Sequence, residues 1–456
     1  MRRLRALLGT LAVIAGVLGG PGPAAAAPAD SSPEELLPTT TPIKHFLVLM
    51  QENHSFDNYF GTYPGADGIP EGICMPIDNS RNPNRPRTTT ECVEPFHIEG
   101  RAILDLGHSG GVHNAQYNNG RMDGFIKVFA DRRGVGNQAM GYYDDRDIPY
   151  YWNVADNYVL FDRLFTSAAG GSVWNHMFWV TGTPGNPDAD LLDPKGFDHI
   201  PTIFDRLQEA GVSWKFYVQN YDPHINFREP GSGDEAAQTV WVPPLNYNRF
   251  LDDPELNKHI VSLEQYYTDL ANDTLPAVSY IVPSGASEHP PGSIQAGERF
   301  VRTLINSLMA SSAWDSSAFM WTYDDWGGWY DHVPPPRVDQ YGLGFRAPAL
   351  LVSAWAKRGY VDSTTLDFTS QLKFIEHNWS VDSLARRDAQ ANNFLSAFDF
   401  DAGPREPVLL DLVRDPAPPP ENDSLAVYAC YGAAILIPFA FAGVSRRRRR
   451  LAEAMA

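Results

Sequence analysis

Two adjacent carboxylates, Asp324 and Asp325, follow an apolar run at 318–323. Neighbouring buried carboxylates repel each other unless a cation or a proton lies between them. Glu52 and Asn53 follow another apolar run and would add oxygen atoms from a distant part of the chain. Three carboxylates and an amide suit one hard divalent cation such as Ca²⁺, Mg²⁺ or Mn²⁺, with Zn²⁺ possible if a histidine joins them. The structural alternative is a solvated turn, where Asp and Gly are common.

A hydroxyl for nucleophilic attack is offered by Ser172, which ends the turn Gly170-Gly171-Ser172. Glycines let a ligand approach the backbone closely, and a helix beginning near Val173 would direct its N–H groups toward an anion. A serine in such a field beside a metal is an activated nucleophile. The alternative, a glycine-rich turn with a serine N-cap, is favoured by these residue types when they are taken alone.

Imidazole groups could complete a site for phosphate esters, which needs donors to the phosphoryl oxygens and an acid for the leaving group. Among twelve histidines, His289 is the best candidate because it follows an apolar run at 277–282. His224 comes after a further run at 213–218 in the same way. Both would then lie near the carboxylates if these runs are neighbouring strands.

Strands that alternate with helices are expected to position these groups. Short apolar runs predict buried strands, and amphipathic patterns predict helices at 202–210 and 300–309. Together they indicate an α/β fold with a mostly parallel sheet covered on both faces. In such folds ligands bind beyond the carboxyl ends of the strands, which is where the polar residues occur. The predicted strands are 43–50, 213–218, 277–282, 318–323 and 349–353.

Both chain ends carry targeting signals. A basic N-terminus, an apolar run at 7–17 and small residues at 24–27 predict a signal peptide at 1–27. The uncharged stretch 425–444 is long enough to span a bilayer, and five arginines follow it. The positive-inside rule then places the tail 445–456 in the cytoplasm. The sequence predicts an exported, single-pass protein of the cell membrane with an extracellular domain.

Between these ends we expect a linker at 28–42, a catalytic domain at 43–405 and a Pro-rich stalk at 406–424. The formal net charge is −19, and the domain is more acidic still because both chain ends are basic. Nucleic-acid binders have a basic footprint, so this class is excluded. Cys74 and Cys92 could form a disulfide in an oxidising compartment.

Four motifs occur in collinear order across nearly all of 43–380: IKHFLVLMQENHSFDNYFG at 43–61, Gly170-Gly171-Ser172 with Asn175, Glu288-His289-Pro290-Pro291, and YDDWGGWYDHVPPP at 323–336. In this order they closely resemble the bacterial phosphoesterase superfamily. That group includes phospholipases C of the non-haemolytic type and AcpA-type acid phosphatases.

The resemblance implies a three-layer α/β/α core of the alkaline-phosphatase type that binds one divalent metal ion. It also implies that Ser172 is the nucleophile, which forms a phosphoenzyme, and that His108 and His289 contact the phosphoryl group. Asn53, Asn175 and His224 are expected to contact the substrate. The metal ligands implied by the resemblance are Glu52, Asn53, Ser172, Asp324 and Asp325.

The sequence therefore predicts a metal-dependent phosphoesterase, with a phospholipase C acting on phosphatidylcholine-type phospholipids as the preferred form. One alternative is a broad acid phosphatase that hydrolyses soluble phosphomonoesters. Another is a non-catalytic ectodomain for binding or adhesion. The headgroup stays open because phospholipase C members commonly carry Thr-x-Pro-Asn where this chain has Ser172-Val173-Trp174-Asn175. A sulfatase is disfavoured because Ser172 lacks the C/S-x-P-x-R context.

Overall fold

Runs of branched and aromatic apolar residues form the central strands of one large sheet. The computed structural model describes residues 37–77, 91–99, 103–129, 135–410 and 412. Their strands, in chain order, are β1 (His45–Gln51), β2 (Met75–Pro76), β3 (Cys92–Val93), β4 (Phe96–His97), β5 (Gly141–Tyr142), β6 (Val159–Phe161), β7 (Trp214–Val218), β8 (Ile260–Ser262), β9 (Val278–Val282), β10 (Ser317–Tyr323), β11 (Ala349–Ser353) and β12 (Tyr360–Asp362).

Eight of these described strands form the large sheet, in the order β12-β6-β11-β10-β1-β9-β7-β8. All neighbouring strands run parallel except β11, which is antiparallel to both β10 and β6. The carboxyl ends of β1, β7, β9 and β10 therefore meet at one edge of the sheet, and the residue after β11 lies at the opposite edge. This confirms the predicted mostly parallel sheet.

Along the chain, helices separate most of the strands, and two more follow the last described strand. Their bounds are α1 (Phe56–Phe60), α2 (Gly110–Tyr117), α3 (Val135–Gln138), α4 (Pro149–Asn157), α5 (Ser172–Thr181), α6 (Ile203–Ala210), α7 (Gln238–Trp241), α8 (Asn248–Asp252), α9 (Pro254–Asn257), α10 (Glu264–Ala271), α11 (Ile294–Met309), α12 (Phe368–Trp379) and α13 (Arg386–Gln390).

One face of the sheet is covered by α5 and α12. The ring of Trp179 in α5 lies 4.5 Å from that of Tyr280 in β9. The ring of Phe374 in α12 lies 4.7 Å from that of Phe46 in β1. Val48 pairs with Tyr280, and side chains two apart on a strand share a face, so Phe46 and Tyr280 point the same way.

The other face is covered by α4 and α10. Phe216 pairs with Tyr280, so the next residue, Tyr217, points to the opposite face, where its ring lies 5.7 Å from Tyr266 in α10. Trp321 of β10 contacts Tyr151 of α4 at 5.5 Å between ring centroids. Helices on both faces of one sheet make the three-layer arrangement.

All five strands predicted from apolar runs are present, within two residues at each end. The helix predicted at 300–309 begins earlier, at Ile294, because Ser293 caps it by accepting a hydrogen bond from the Ala296 N–H. The strands β6, β8 and β12 were not predicted, since three residues carry too little pattern to detect.

Cys74 and Cys92 form a disulfide, with Cα atoms 5.3 Å apart, beside the short β2–β3 pair. Among the described residues, no helix has the length and apolar character needed to cross a bilayer. The predicted signal peptide 1–27, membrane helix 425–444 and tail 445–456 lie outside the described residues. Of the predicted linker and stalk, the structure describes 37–42, 406–410 and 412.

Candidate active site

The register between β1 and β10 brings the predicted acidic residues together. Gln51 and Tyr323 are paired at the ends of these parallel strands, so Glu52 and Asp324 leave the sheet side by side. The Asp324 N–H donates to the Gln51 carbonyl at 3.0 Å. Ligand atoms of Glu52 and Asp324 lie within 4.8 Å of each other, and both residues are buried. Two distant segments therefore supply carboxylates to one point.

Tight turns hold the residues that follow these two strands. Asn53 has a φ of 63°, a left-handed conformation that Asn tolerates better than most residues, and its N–H donates to Asp324 Oδ1 at 3.2 Å. Gly327 has a φ of 61°, and a Cβ there would lie 2.1 Å from the Asn53 carbonyl oxygen. The Gly327 N–H donates to Asp325 Oδ1 at 2.7 Å. Only glycine fits at this crossing of the two turns.

The Asn53 side chain points one amide atom at both aspartates. That atom lies 2.9 Å from Asp324 Oδ1 and 3.3 Å from Asp325 Oδ1, while the other amide atom lies 2.8 Å from His289 Nε2. If the first atom is nitrogen, the amide donates to the carboxylates and accepts from the histidine. If it is oxygen, three oxygens face one another and require a cation between them.

Burial makes this group of acids hard to ionise without a positive charge. Burial, with Asp324 as the next cause, raises the pKa of Glu52 well above its usual value. Burial and then Asp324 likewise raise the pKa of Asp325. Asp324 Oδ2 is buried and accepts no hydrogen bond from the described residues. An orphaned carboxylate oxygen among three buried acids fits a divalent cation ligand set.

His176 is a member of this cluster that sequence analysis missed. Its Nε2 lies 3.1 Å from Glu52 Oε1 and 3.9 Å from Asp324 Oδ2, within the acidic cluster. Burial lowers the pKa of His176 to about 4, so the ring is neutral and does not neutralise the acids. Ser172 and His176 are four residues apart in α5, which places both on one helix face. That spacing was the available signal.

Ser172 is the first residue of α5, and its side chain contacts the acidic cluster. It is half-buried, whereas the carboxylates are buried, and its hydroxyl donates to Asp325 Oδ2 at 3.3 Å. The N–H groups at the start of this helix were expected to face a bound anion, and two of them bond to a carboxylate of the protein itself. Gly171 N and Trp174 N donate to the Asp190 carboxylate, so a side chain of the protein already caps this terminus.

Two half-buried histidines stand beside the serine at the surface of the cluster. His108 Nε2 lies 4.0 Å from Asp325 Oδ2, and its Nδ1 bonds to the Leu106 carbonyl at 2.8 Å. His289 Nδ1 bonds to the Pro290 carbonyl at 2.8 Å, which leaves Nε2 facing Asn53. The two imidazole centroids are 5.6 Å apart. The structure thus brings together the predicted pair of phosphoryl-contacting histidines.

A buried polar network fixes the loop that carries His289. Gln51 Nε2 donates to the Ala286 carbonyl at 3.0 Å, and its Oε1 accepts from the Glu288 N–H at 3.1 Å. The Glu288 carboxyl, fully buried, accepts hydrogen bonds from three tyrosine hydroxyls. These belong to Tyr59 at 2.5 Å, Tyr151 at 2.5 Å and Tyr323 at 2.9 Å. These hydrogen bonds to Gln51 and the three tyrosines hold the loop in place.

Two predicted substrate contacts are not supported. Asn175 is buried, its Oδ1 accepts from Ala168 N at 2.9 Å, and its Nδ2 donates to the Gly170 and Gly171 carbonyls. Its whole amide therefore holds the turn before Ser172, and none of it faces a ligand. His224 is exposed on the loop after β7, and among the described residues no side-chain bond links it to the acidic cluster.

Trp241, at the end of α7, was also missed. Its indole lowers the pKa of Glu52, against the larger effect of burial. Nothing in the sequence near Trp241 indicates this contact, because α7 follows a long irregular segment whose path the pattern does not predict.

Comparison with known proteins agrees with this geometry. The model of the Phosphoesterase family matches residues 43–382. Phospholipase C B of Mycobacterium tuberculosis is 29% identical over 80% of this chain and 79% of its own length. Non-hemolytic phospholipase C of Pseudomonas aeruginosa is 28% identical over 80% of this chain and 58% of its own length.

A solved protein of the alkaline phosphatase superfamily from Vibrio parahaemolyticus covers 62% of this chain and 66% of its own, at 14% identity and a TM-score of 0.31. That score is too low to bear on the fold, so the alkaline-phosphatase type stays a prediction. The family match spans both strand-end motifs, the serine turn and the histidine loop. The chain belongs to the Phosphoesterase family and is a phosphoric ester hydrolase.

Proposed function

We propose that this chain is a divalent-metal-dependent phospholipase C that uses Ser172 as its nucleophile. One observation carries the proposal: buried acidic residues from two strands converge under a half-buried serine hydroxyl and two histidines. The relatives named phospholipase C support a phospholipid substrate. A phosphatidylcholine-type lipid is the preferred form.

The chain's oxygen-rich cluster would hold the cation. Glu52, Asn53, Asp324 and Asp325 offer the ligand atoms, and the Ser172 hydroxyl borders them. A bound divalent cation would lower the pKa of a coordinated hydroxyl and offset the charge of a phosphoryl group. Ca²⁺, Mg²⁺ and Mn²⁺ suit these oxygen ligands, and His176 keeps Zn²⁺ possible.

The proposed proton transfers involve Asp325 and the two histidines. Ser172 Oγ attacks the phosphorus, its proton passing toward Asp325 Oδ2, and the bond to the alcohol leaving group breaks. His289 or His108 protonates the leaving oxygen, because both rings lie at the surface of the cluster. Water then attacks the phosphoserine, and a histidine accepts one of its protons. The bond between phosphorus and Ser172 Oγ breaks, the phosphorylated headgroup leaves, and Ser172 Oγ takes its proton back from Asp325.

We further propose that the catalytic domain 43–405 works outside the cell, after removal of 1–27 and with 425–444 as its membrane anchor. The Cys74–Cys92 disulfide supports export, since disulfides persist in oxidising compartments. Protease digestion of intact cells should remove the domain and leave a small membrane-bound fragment. A domain released with the soluble cytoplasmic fraction would contradict this placement.

A substrate panel tests the activity. The purified chain is given phosphatidylcholine vesicles or an aryl phosphomonoester, with chelator and with Ca²⁺, Mg²⁺, Mn²⁺ or Zn²⁺ added back. Phosphocholine release that chelator abolishes and one metal restores is expected. Hydrolysis of the monoester alone would establish the acid phosphatase alternative. No hydrolysis by metal-loaded protein would favour the non-catalytic ectodomain.

A further inference from the structure

A second polar cavity lies at the edge of the sheet opposite the acidic cluster. Strand β11 runs antiparallel to β10, so Ser353 pairs with Ala318 near the start of β10. Residues after β11 therefore border the amino ends of the parallel strands. The cavity has a volume of about 400 Å³ and is lined by Trp355, Lys357, Arg358, Tyr360 and Arg405, with Ala354, Ala356, Asp399, Ala402 and Gly403. We call it the Arg405 cavity.

Arg405 lines this cavity, and two of its side-chain donors have no hydrogen-bond partner among the described residues. Its backbone N–H donates to the Ala354 carbonyl at 2.8 Å, and Nη1 donates to the Asn157 carbonyl at 3.2 Å. Nε and Nη2 are buried and have no hydrogen-bond partner among the described residues. The guanidinium carbon lies 4.8 Å from the centroid of the Tyr158 ring. Buried donors are normally satisfied, so these two require an acceptor.

Two further cations line the same cavity. Arg358 Nη2 makes one long contact, at 3.4 Å, with Asn157 Oδ1. Lys357 Nζ lies 4.7 Å from the centroid of the Tyr360 ring. Within the described parts of the chain, neither forms an ion pair. Burial, with Arg358 as the nearby cation, lowers the pKa of Arg405.

The lining contains one carboxylate, Asp399, whose Oδ1 accepts from the Ala402 N–H at 3.2 Å. Three cations facing one carboxylate leave an excess of positive charge, in a chain whose formal net charge is −19. Guanidinium groups present paired N–H donors that match phosphate oxygens. A volume of about 400 Å³ is in the range of small-ligand sites and exceeds what a simple halide needs.

We propose that the Arg405 cavity binds a phosphate-bearing anion, either a soluble organic phosphate or the headgroup of an anionic lipid. The positively charged side chains of Arg405, Arg358 and Lys357, which line the cavity, supply its contacts. The site is separate from the acidic cluster, because the two lie at opposite edges of the sheet. It does not depend on the proposed phospholipase activity.

Equilibrium dialysis of the full-length chain in non-ionic detergent with radiolabelled inorganic phosphate tests this site. We expect Arg405→Gln to lose one phosphate site of the wild-type chain, or to weaken it by about tenfold or more. Arg358→Gln should weaken the same site. Arg358 makes one long hydrogen-bond contact, so its replacement is expected to leave the fold intact. The matched control is Arg299→Gln, an exposed arginine of α11.

Both cavity variants should keep wild-type turnover, and Arg358→Gln should also keep wild-type thermal stability. The measurement compares the number of phosphate sites in the wild-type chain with the number in Arg405→Gln. It therefore detects loss of the Arg405 site even if the acidic cluster also binds phosphate. Competition by glycerol phosphate would identify a soluble ligand. Arg405-dependent binding to phosphatidylglycerol vesicles, with none to phosphatidylcholine vesicles, would identify a lipid headgroup. Equal phosphate stoichiometry and affinity in the wild-type chain and both variants would overturn the proposal.

Discussion

Ser172 Oγ donates a hydrogen bond to Asp325 Oδ2 at 3.3 Å, joining the first residue of α5 to the residue pair after β10. The same carboxylate accepts the Gly327 N–H through its other oxygen at 2.7 Å. Asp325 is therefore held in place by its own turn and presents one oxygen to the serine. The contact links the candidate nucleophile directly to the candidate cation site.

Replacing Ser172 by alanine is expected to lower turnover by at least about 1,000-fold, because it removes the attacking oxygen. Metal content and melting temperature should stay close to wild type, since the side chain is half-buried and small. Steady-state kinetics and metal analysis check both statements. Ser284→Ala, an exposed serine after β9, is the matched control. Retained turnover in Ser172→Ala would remove this residue from the nucleophile role.

Replacing His176 by glutamine should weaken metal binding by roughly 10–100-fold, the usual effect of losing a ligand's orienting partner. The imidazole lies 3.1 Å from Glu52 Oε1 and is buried with it. Excess metal should restore turnover, which a general folding defect would not allow. Metal titration of activity measures the shift, and His377→Gln on the exposed side of α12 serves as control. An unchanged metal affinity would show that His176 only packs there.

Replacing Asn175 by alanine should reduce stability by about 2–3 kcal/mol, because Ala168 N and two carbonyls lose their partners in a buried turn. The turn carries Ser172, so we expect kcat to fall more than KM rises. Chemical unfolding and kinetics measure the two effects. A higher KM at unchanged stability would instead support the substrate contact expected from the sequence.

Replacing Glu288 by glutamine should change how stability depends on pH. Burial raises the pKa of Glu288 to about 7, although three tyrosine hydroxyls lower it in part. In the unfolded chain its pKa is near 4.3. Between these values the unfolded chain releases a proton that the folded chain keeps, so this contribution to stability is lost as pH rises toward 7.

Glu288→Gln removes that titration. Relative to wild type, the variant should become more stable by up to roughly 3 kcal/mol as pH rises from 4 to 8. Melting temperatures measured across this range follow the difference, with the exposed Glu209→Gln as control. A wild-type-to-variant difference that stays constant with pH would show that Glu288 does not titrate in this way.

Much of the fold could be predicted because each central strand is a buried apolar run with its own signal. β1 and β10 are buried along their whole length, so a short continuous apolar run indicates each of them. The antiparallel direction of β11 could not be predicted, since a buried strand has the same composition in either direction. That direction places the Arg405 cavity at the opposite edge.

The acidic half of the site could also be predicted, since Glu52 and Asp324 directly follow strands that proved to be neighbours. The backbone contacts of Asn175 could not be predicted, because an Asn beside a nucleophile can face either the ligand or the backbone, and sequence does not show which. His176 and Trp241 reach Glu52 from helices, where the contact depends on how α5 and α7 pack. The local sequence pattern does not predict how these helices pack.

The most direct test of the central claim is the metal content of the purified chain after dialysis against limiting metal. One divalent ion per chain is expected in the wild type, with loss of both the ion and turnover in Asp324→Asn. Asp315→Asn, outside the cluster, should keep both. A wild-type chain that binds no divalent ion, or an Asp324→Asn variant that binds it as tightly and remains active, would contradict the account.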